Sequence, residues 1–565
     1  MRLSYTKNIP RYAILSHTWG TDADEVTFQE MLIDPDDRPP STTSKAGYQK
    51  ILKTCEIAQR YNTNHEGRFY YQDRLYYVDQ HIEHVWIDTC CIDKSSSAEL
   101  SEAINSMYKY YLEADVCFAY LSDMTADLET FETSRWFTRG WTLQELVAPK
   151  RINFYDGSWT CRGDRDSLQD VIRRVTRIST FKNITELPVA VRMSWAAQRE
   201  TTRDEDLAYC LMGIFDVNMP LLYGEGRKAF IRLQEEIIKQ NPDLSIFAWT
   251  DSFPSMFSGL LAESPEWFRD GEDLQAAANI DTVYREFSVT NQGIRFQFPL
   301  KYHNQTGCLV LPLGHQSKSQ QYPLGVFLRQ ISNDFCVRAS PDTMADEDLC
   351  HRAEETIIQV PKVLSNKEIR DLRQTGITFP EEFNRLRSRG LLIGELAPLG
   401  CWDPDTKTVH AGHKGIFECL LVFEMDQRCR VWNQQMGPSW SSFGVIFKYE
   451  ARQEYNRRWL YKVVDTDNSI FFEKDARYIL KQFRRHGDYT NGLEEELVVP
   501  GGLYVEGLLG MQQLSLRLVP LDYTIGAEWR SQSEDPQIYK GRRVGLAFKW
   551  RPIRELSGEH DQRPQ

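Results

Sequence analysis

The chain has 565 residues, of which 41% are hydrophobic, 26% charged and 12% aromatic. This length predicts about three to four compact domains, and the composition excludes wholesale disorder and fibrous classes. The formal net charge of −13 disfavours nucleic acid as a general partner. The sequence opens without an apolar leader and contains no run of membrane-spanning length, so we expect a cytoplasmic protein that does not engage membranes.

Residues 1–160 are predicted to alternate between strands and helices. Apolar runs predict buried strands at 12–16, 84–93, 116–121 and 151–156, and helical spacing predicts helices at 45–61, 96–111 and 141–146. A capping box at 96–99 is predicted to open the second of these helices. An aromatic and charged segment at 68–78 is typical of an inserted hairpin. This alternation predicts a doubly wound parallel sheet with right-handed crossovers, an α/β fold.

Two further regions follow this sheet. Residues 161–250 are predicted to form a helical extension, with a capping box at 202–205 opening one of its helices. In residues 254–565, short apolar runs separated by turn residues predict a β-rich half, as a sandwich or two small sheets. The twelve cysteines form no CxxC motif, which predicts buried free thiols rather than disulfides or a zinc ribbon.

Polar side chains follow each predicted strand of the parallel sheet. Ligands bind beyond the carboxyl ends of such strands, because the loops there converge. Each residue also has an ordinary explanation as a loop or capping residue, and their shared position is what indicates a site. The residues are Ser16, His17 and Gly20 after the first strand, Asp88 and Asp93 at the second, Ser122 and Asp123 at the third, and Asp156 after the fourth.

Three segments of the sequence resemble a known family. They are residues 12–20 (YAILSHTWG), 85–94 (VWIDTCCIDK) and 134–146 (SRWFTRGWTLQEL). In order and spacing they resemble the signature blocks of the fungal heterokaryon-incompatibility (HET) domain, and residues 194–210 and 223–226 resemble the extension that often follows it. The resemblance implies non-self recognition, innate immunity and programmed cell death, with self-association on activation and other incompatibility or signalling proteins as partners.

HET domains are in turn similar to TIR domains, which implies a TIR/flavodoxin-like sheet. The block at 141–146 resembles the TIR block whose glutamate serves enzymes that cleave NAD, which implies that Glu145 is catalytic and that NAD is a substrate rather than a cofactor. Thr142 departs from this block, which has cysteine there, and an insertion lies near residues 62–83. The nucleotide-binding residues implied are Ser16, His17, Trp19, Gly20, Asp88, Asp93, Ser122, Trp136, Arg139 and Trp141.

For several of these residues, a purely structural role is an alternative to a role in catalysis or binding. Glu145 could be a surface or capping carboxylate paired with Arg139, and Trp136 and Trp141 could be core anchors. The protein is accordingly either an NAD-cleaving enzyme or a non-enzymatic adaptor that signals by self-association. A thiol nucleophile at Cys90 or Cys91 with His17 is disfavoured, and the histidine pairs at 81/84 and 410/413 lack a third metal ligand at recognisable spacing.

Overall fold

The structure is a computed structural model of the chain. It describes residues 3, 9–61, 68–71, 74–77, 82–251, 256–277, 286–378 with short gaps, and the strands between 391 and 552 that are named below. The chain folds as two compact units. The first contains residues 1–250, 261–279 and 315–321, and the second contains 251–260, 280–314 and 322–565.

The elements of the first 250 residues alternate between strands and helices. In chain order they are β1 (Tyr12–His17), α1 (Phe28–Leu32), α2 (Pro40–Thr43), α3 (Ala46–Arg60), β2 (Arg68–Tyr71), β3 (Arg74–Tyr77), β4 (His84–Trp86), α4 (Asp88–Cys91), α5 (Ser97–Glu113), β5 (Val116–Tyr120), α6 (Leu128–Glu132), α7 (Thr142–Val147), β6 (Ile152–Tyr155), β7 (Cys161–Asp164), α8 (Gln169–Thr176), α9 (Val189–Ser194), α10 (Asp206–Tyr209), α11 (Met212–Phe215) and α12 (Lys228–Gln240).

The sheet of this unit has the strand order β4-β1-β5-β6-β7. The first four strands are parallel, and β7 is antiparallel to β6. All six residues of β1 are buried, because β1 lies between two strands and both faces of the sheet are covered. The predicted parallel α/β sheet is therefore confirmed, and the predicted hairpin at 68–78 is present as β2 and β3.

Alternation along β1 sends its side chains to opposite faces of the sheet. Ala13 and Leu15 pack in one core cluster with Met31 and Ile51, which lie on α1 and α3. Ser16 lies on the other face, toward α7, while His17 shares the face of Leu15. Two adjacent polar residues at the end of one strand are thus separated by the thickness of the sheet.

The strand predicted at 84–93 and the capping box predicted at 96–99 both differ from the structure. The strand expected over 84–93 ends at Trp86, and Asp88 instead lies in the first turn of α4. Ser96 caps α5 by accepting from the backbone N–H of Glu99 at 3.3 Å, but the Glu99 carboxylate accepts from the backbone N–H of Asp93 at 3.0 Å. The predicted reciprocal capping box is therefore only half formed.

The segment after β7 is mainly helical, from α8 to α12. The predicted capping box at 202–205 is not present, because Glu205 makes no side-chain cap at α10. Its carboxylate instead accepts from the backbone N–H groups of Gly224 (2.7 Å) and Gly226 (2.9 Å). Both glycines have positive φ, which a residue with a Cβ rarely adopts. Glu205 therefore anchors the 222–226 turn rather than a helix start.

Beyond residue 250 the described chain is almost entirely β-structure, as predicted. The strands are β8 (Phe257–Ser258), β9 (Leu274–Ala276), β10 (Phe287–Thr290), β11 (Gly293–His303), β12 (Cys308–Ser317), β13 (Pro323–Gln330), β14 (Cys336–Ala339), β15 (Ala345–Asp346), β16 (Cys350–Val360), β17 (Gly376–Thr378), β18 (Leu391–Ala397), β19 (Trp402–Asp403), β20 (Thr408–His410), β21 (Gly415–Met425), β22 (Arg430–Asn433), β23 (Gly437–Trp440), β24 (Ser442–Gln453), β25 (Asn456–Asp465), β26 (Thr490–Asn491), β27 (Leu497–Val498), β28 (Leu503–Gly507), β29 (Gly510–Pro520) and β30 (Arg543–Pro552), with one helix, α13 (Asn366–Gln374).

These strands form three sheets rather than the two expected from the sequence. Their strand orders are β10-β11-β12-β13-β14-β8, β19-β20-β17-β30-β29-β28-β22-β23, and β18-β21-β24-β25-β26. Most neighbouring strands are antiparallel, and β17 and β30 are parallel. The cysteines in the described ranges are free thiols and most are buried, although Cys161 is exposed. No helix in the described part of the chain combines the length and apolarity of a membrane span.

We predict that Gly213→Ala destabilises the first unit, because α11 approaches α5 closely at this glycine. A Cβ atom on Gly213 would lie 2.1 Å from the Cβ of Tyr108, so the two helices would have to separate. Such overpacking costs about 1–3 kcal/mol in the free energy of unfolding. Denaturant unfolding should show this loss, and Gly213→Ser should lose more. Wild-type stability in both variants would contradict the close approach.

Candidate functional site

The polar residues at the end of β1 lie where the strand order of the sheet reverses. The chain passes from β1 outward to β4 and then back across β1 to β5, so the crossover helices diverge between β1 and β5. Parallel sheets bind ligands outside the carboxyl ends of the strands at such a point. Ser16 and His17 pair here with Ala119 and Tyr120, the last residues of β5.

A buried carboxyl group faces Ser16 from α7. The Ser16 hydroxyl donates to Glu145 Oε2 at 2.5 Å and accepts from the indole N–H of Trp136 at 2.8 Å. Ser16 and Trp136 are fully buried, and Glu145 is 7% exposed. On the same face, the Tyr111 hydroxyl lies 3.1 Å from the carbonyl oxygen of Leu15 and donates a hydrogen bond to Glu145.

Burial raises the pKa of Glu145 to about 8, and the negative charge of Asp88 adds to the rise. Hydrogen bonds from Ser16 and Tyr111 and the positive charge of Arg199 act in the opposite direction but do not outweigh burial. Glu145 is therefore mainly protonated at neutral pH. A carboxyl group with a pKa near the ambient pH is typical of residues that titrate during catalysis.

Arg199 and Thr142 hold the start of α7 in place. The guanidinium of Arg199 donates to the carbonyl of Arg139 at 2.8 Å and to the Thr142 hydroxyl at 3.0 Å. The same hydroxyl donates to the carbonyl of Trp136 at 2.5 Å. Thr142 thus ties together the loop that carries Trp136 and the helix that carries Glu145, which a cysteine with its weak S–H donor would do less well.

On the other face of the sheet, His17 lies between two carboxylates. Its Nε2 is 3.9 Å from Glu25 Oε2, and its Nδ1 is 3.9 Å from Asp88 Oδ1. His17 Nδ1 and Asp88 Oδ1 are buried and have no hydrogen-bond partner. Burial would raise the pKa of Glu25, but the nearby His17 and the hydrogen bonds from the backbone N–H of Gly20 and from Lys50 hold it at about 2. These two atoms, His17 Nδ1 and Asp88 Oδ1, are therefore available to form hydrogen bonds with a ligand.

Trp19 covers this side of the site and is 45% exposed. Its indole N–H donates to Asp88 Oδ2 at 2.8 Å, and the Lys94 ammonium lies 3.6 Å from the ring centroid. The guanidinium of Arg135 donates to the carbonyl of Trp19 at 3.0 Å. Of the tryptophans implied to bind a nucleotide, Trp19 is thus the exposed one, whereas Trp136 is a core anchor.

The remaining predicted residues lie in other interactions. Asp93 Oδ1 accepts from the backbone N–H and hydroxyl of Ser95, and Ser122 is exposed. Arg139 donates to the Thr202 hydroxyl at 3.2 Å and is not the partner of Glu145. The half-buried Trp141 bonds to Asp206. Glu145 is therefore neither a surface carboxylate nor an ion-pair partner of Arg139.

Other residues of the site were not identified from the sequence. Tyr111 comes from α5, Glu25 from the loop before α1, Lys50 from α3, and Arg199 from the loop after α9. Tyr111 could have been found, because it lies on the apolar face of α5 yet carries a polar hydroxyl. Glu25, Lys50 and Arg199 carried no local signal. Within the described ranges, no group of His, Cys, Asp or Glu is arranged to hold a metal ion.

We predict that Glu145→Gln changes the pH dependence of stability. The folded pKa of about 8 lies above the ordinary 4.5, so between these values the folded state keeps a proton that the unfolded state releases. The proton on Glu145 therefore stabilises the folded state fully below pH 4.5, and this stabilisation is lost as the pH rises through 8. Relative to wild type, the neutral glutamine should therefore gain about 1.4 kcal/mol of unfolding free energy per pH unit in that window.

Denaturant unfolding at several pH values measures this difference. Glu56→Gln, at an exposed position on α3 where Glu56 pairs with Lys53, is the matched control and should run parallel to wild type. A Glu145→Gln profile that also runs parallel to wild type would contradict a protonated Glu145 in the folded state.

Comparisons with known proteins locate a family match in the first unit. Residues 12–132 match the family model described as Heterokaryon incompatibility protein (HET), and residues 228–265 match a domain of unknown function, DUF8212. The chain is 40% identical over 295 residues to the Vegetative incompatibility protein HET-E-1 of Podospora anserina. This alignment covers 47% of the chain and 20% of that protein, so the chain matches about a fifth of its relative's length. No solved structure matches the chain.

Proposed function

Because the chain carries a HET domain at residues 12–132, we propose that it is a fungal protein of non-self recognition that acts in heterokaryon incompatibility. The 40% identity to a vegetative incompatibility protein supports this function. The alignment covers 47% of the chain and only a fifth of the relative, so it supports this function for part of the chain.

The proposal extends to chemistry: the first unit cleaves NAD at the end of β1, and the loss of NAD triggers cell death. The observation that carries it is Glu145, a buried carboxyl group with a pKa of about 8 held by Ser16 at the point where the strand order reverses. The parallel strands, numbered among themselves in chain order, have the order 2-1-3-4, which is the beginning of the flavodoxin-like order. This order supports the TIR-like interpretation.

The residues around Glu145 suit cleavage of a glycosidic bond to nicotinamide. The bond between the ribose C1′ and the nicotinamide nitrogen breaks, its electron pair goes to nicotinamide, and the ribose gains oxocarbenium character. An ionised Glu145 beside the ribose would stabilise that positive charge. Water then attacks C1′ and releases a proton, which leaves ADP-ribose and nicotinamide. Ser16 and Trp136 hold the carboxyl group in position, and the exposed Trp19 offers a surface on which a ring can stack.

Glu145 is only 7% exposed, so the substrate must reach it through a local opening. We propose that self-association on activation produces this opening, which would keep the enzyme silent in the monomer.

The full chain should release nicotinamide from NAD, and Glu145→Ala and Glu145→Gln should reduce the rate at least about a hundredfold. Because the ionised form acts, kcat/KM should rise about tenfold per pH unit up to about 8 and then level off. Chromatography of nicotinamide and ADP-ribose over a pH series measures both effects. Glu56→Gln should retain wild-type activity. No release of nicotinamide, even from an oligomer forced by a fused multimerising domain, would overturn the enzymatic proposal.

The second candidate function is a non-enzymatic adaptor that acts by self-association and partner binding. It is favoured by the closure of the site, since Ser16 and Trp136 are wholly buried and Glu145 nearly so. Expression in a fungal host, scored by viability, separates the two functions. The enzymatic proposal expects death with wild type and survival with Glu145→Gln at equal protein levels. Death that persists with Glu145→Gln identifies an adaptor, and survival with wild type contradicts both.

A further inference from the structure

A second candidate site lies in the first unit, in a cleft that does not include Glu145, Ser16 or His17. The cleft has a volume of about 230 Å³. It is formed by the segment from α6 to the Arg135–Thr138 turn, the end of α8, the end of α9 with the loop after it, and Arg269. It is smaller than the roughly 300–1,000 Å³ of pockets for drug-sized ligands, so it suits a small ion or one group of a larger molecule.

The charged lining of this cleft is mainly positive, in a chain of net charge −13. Three arginines, Arg177, Arg199 and Arg269, line it together with one carboxylate, Glu132. Glu132 is already paired with Arg174 at 2.6 Å. Arg177 and Arg269 make exposed ion pairs with Glu272 (3.3 Å) and Glu266 (2.6 Å), which bind weakly in water. These two guanidinium groups can therefore turn toward an anion at low cost.

Arg199 places a buried positive charge at the cleft. It is 6% exposed, and its Nη2 atom is buried without a hydrogen-bond partner. Burial lowers its pKa to about 10, so it remains charged at neutral pH. The carboxyl group that acts on it is Glu145, which is mainly protonated there. A buried cation without an ionised partner is costly, and an anion in the cleft would supply the missing countercharge.

The hydrogen-bonding groups of the lining favour an anion that accepts from arginine. The hydroxyls of Thr133, Ser134, Thr138 and Ser194 already donate to neighbouring protein groups. Donors for a ligand are therefore the guanidinium groups of Arg177 and Arg269 and the side-chain amide of the exposed Gln198. Guanidinium groups match the tetrahedral oxygens of phosphate in pairs of hydrogen bonds.

We propose that this cleft binds a phosphate group. Arg177 and Arg269 contact the phosphate oxygens, and the buried Arg199 supplies a further positive charge. The group comes from free inorganic phosphate or from a phosphate monoester of a sugar. Either source presents the same tetrahedral oxygens to the arginines, and the volume of the cleft admits the phosphate while leaving the rest of an ester in solvent.

Binding would be coupled to Glu145 through Arg199, a consequence that rests on the proposed function. The charge of Arg199 favours the ionised form of Glu145. A phosphate in the cleft would offset that charge, raise the pH at which Glu145 ionises, and lower NAD cleavage at neutral pH.

The binding itself is tested without NAD. Calorimetric titration of the full chain with inorganic phosphate and, separately, with ribose 5-phosphate should give saturable binding that is stronger than that of chloride at equal ionic strength. Arg177→Gln combined with Arg269→Gln should weaken it at least about tenfold. Arg173→Gln, on the exposed side of α8 and outside the cleft, should bind as wild type.

The two ligands distinguish the sources. Equal affinities indicate recognition of free phosphate, and tighter binding of the ester indicates contacts to its sugar. Both support the site. No saturable binding of either ligand, or binding unchanged in the double arginine variant whose thermal unfolding matches wild type, would overturn the proposal. Because the titration contains no NAD, its failure leaves the proposal for Glu145 untouched, and a failure of NAD cleavage leaves the cleft untouched.

Discussion

The hydrogen bond between Ser16 and the buried carboxyl group of Glu145 is the interaction on which the first unit's polar chemistry depends. A carboxyl group taken out of water must be neutralised, paired with a cation or given hydrogen bonds. Here Ser16 and Tyr111 provide the hydrogen bonds and the group takes up a proton. Ser16 can do this because it also accepts from Trp136, so all three side chains are satisfied in the core.

Two consequences follow from this neutral carboxyl group. Arg199 keeps its charge without an ionised partner, so the positive charge is available at the arginine-lined cleft. The site at the end of β1 is also closed, since a polar group satisfied by its neighbours has no need of water. Such a closed site can be activated either by a local opening or by ionisation of Glu145. Both changes would act on the hydrogen bond between Ser16 and Glu145.

Local sequence patterns predicted most helices and strands of the first unit, but they did not predict where several of these elements begin or end. The helices α3, α5 and α7 and the strands β1, β5 and β6 lie where apolar spacing predicted them. β4 is shorter than its apolar run, because residues 88–91 turn into a helix that packs against α1. The predicted capping boxes failed for a related reason. The carboxylates of Glu99 and Glu205 found backbone N–H groups in loops that the local pattern does not include.

The sequence by itself determined the parallel sheet, the β-rich second half and the likeness of residues 12–146 to the HET domain, because these follow from periodicity and contiguous motifs. It also singled out Ser16, His17, Trp19 and Glu145. Only the tertiary structure decided that Ser16 faces Glu145 while His17 faces Asp88 and Glu25 across the sheet. Burial and charge depend on residues distant in the chain, such as Tyr111 and Arg199. The protonation of Glu145 and the positive cleft therefore arise from packing that no local pattern encodes.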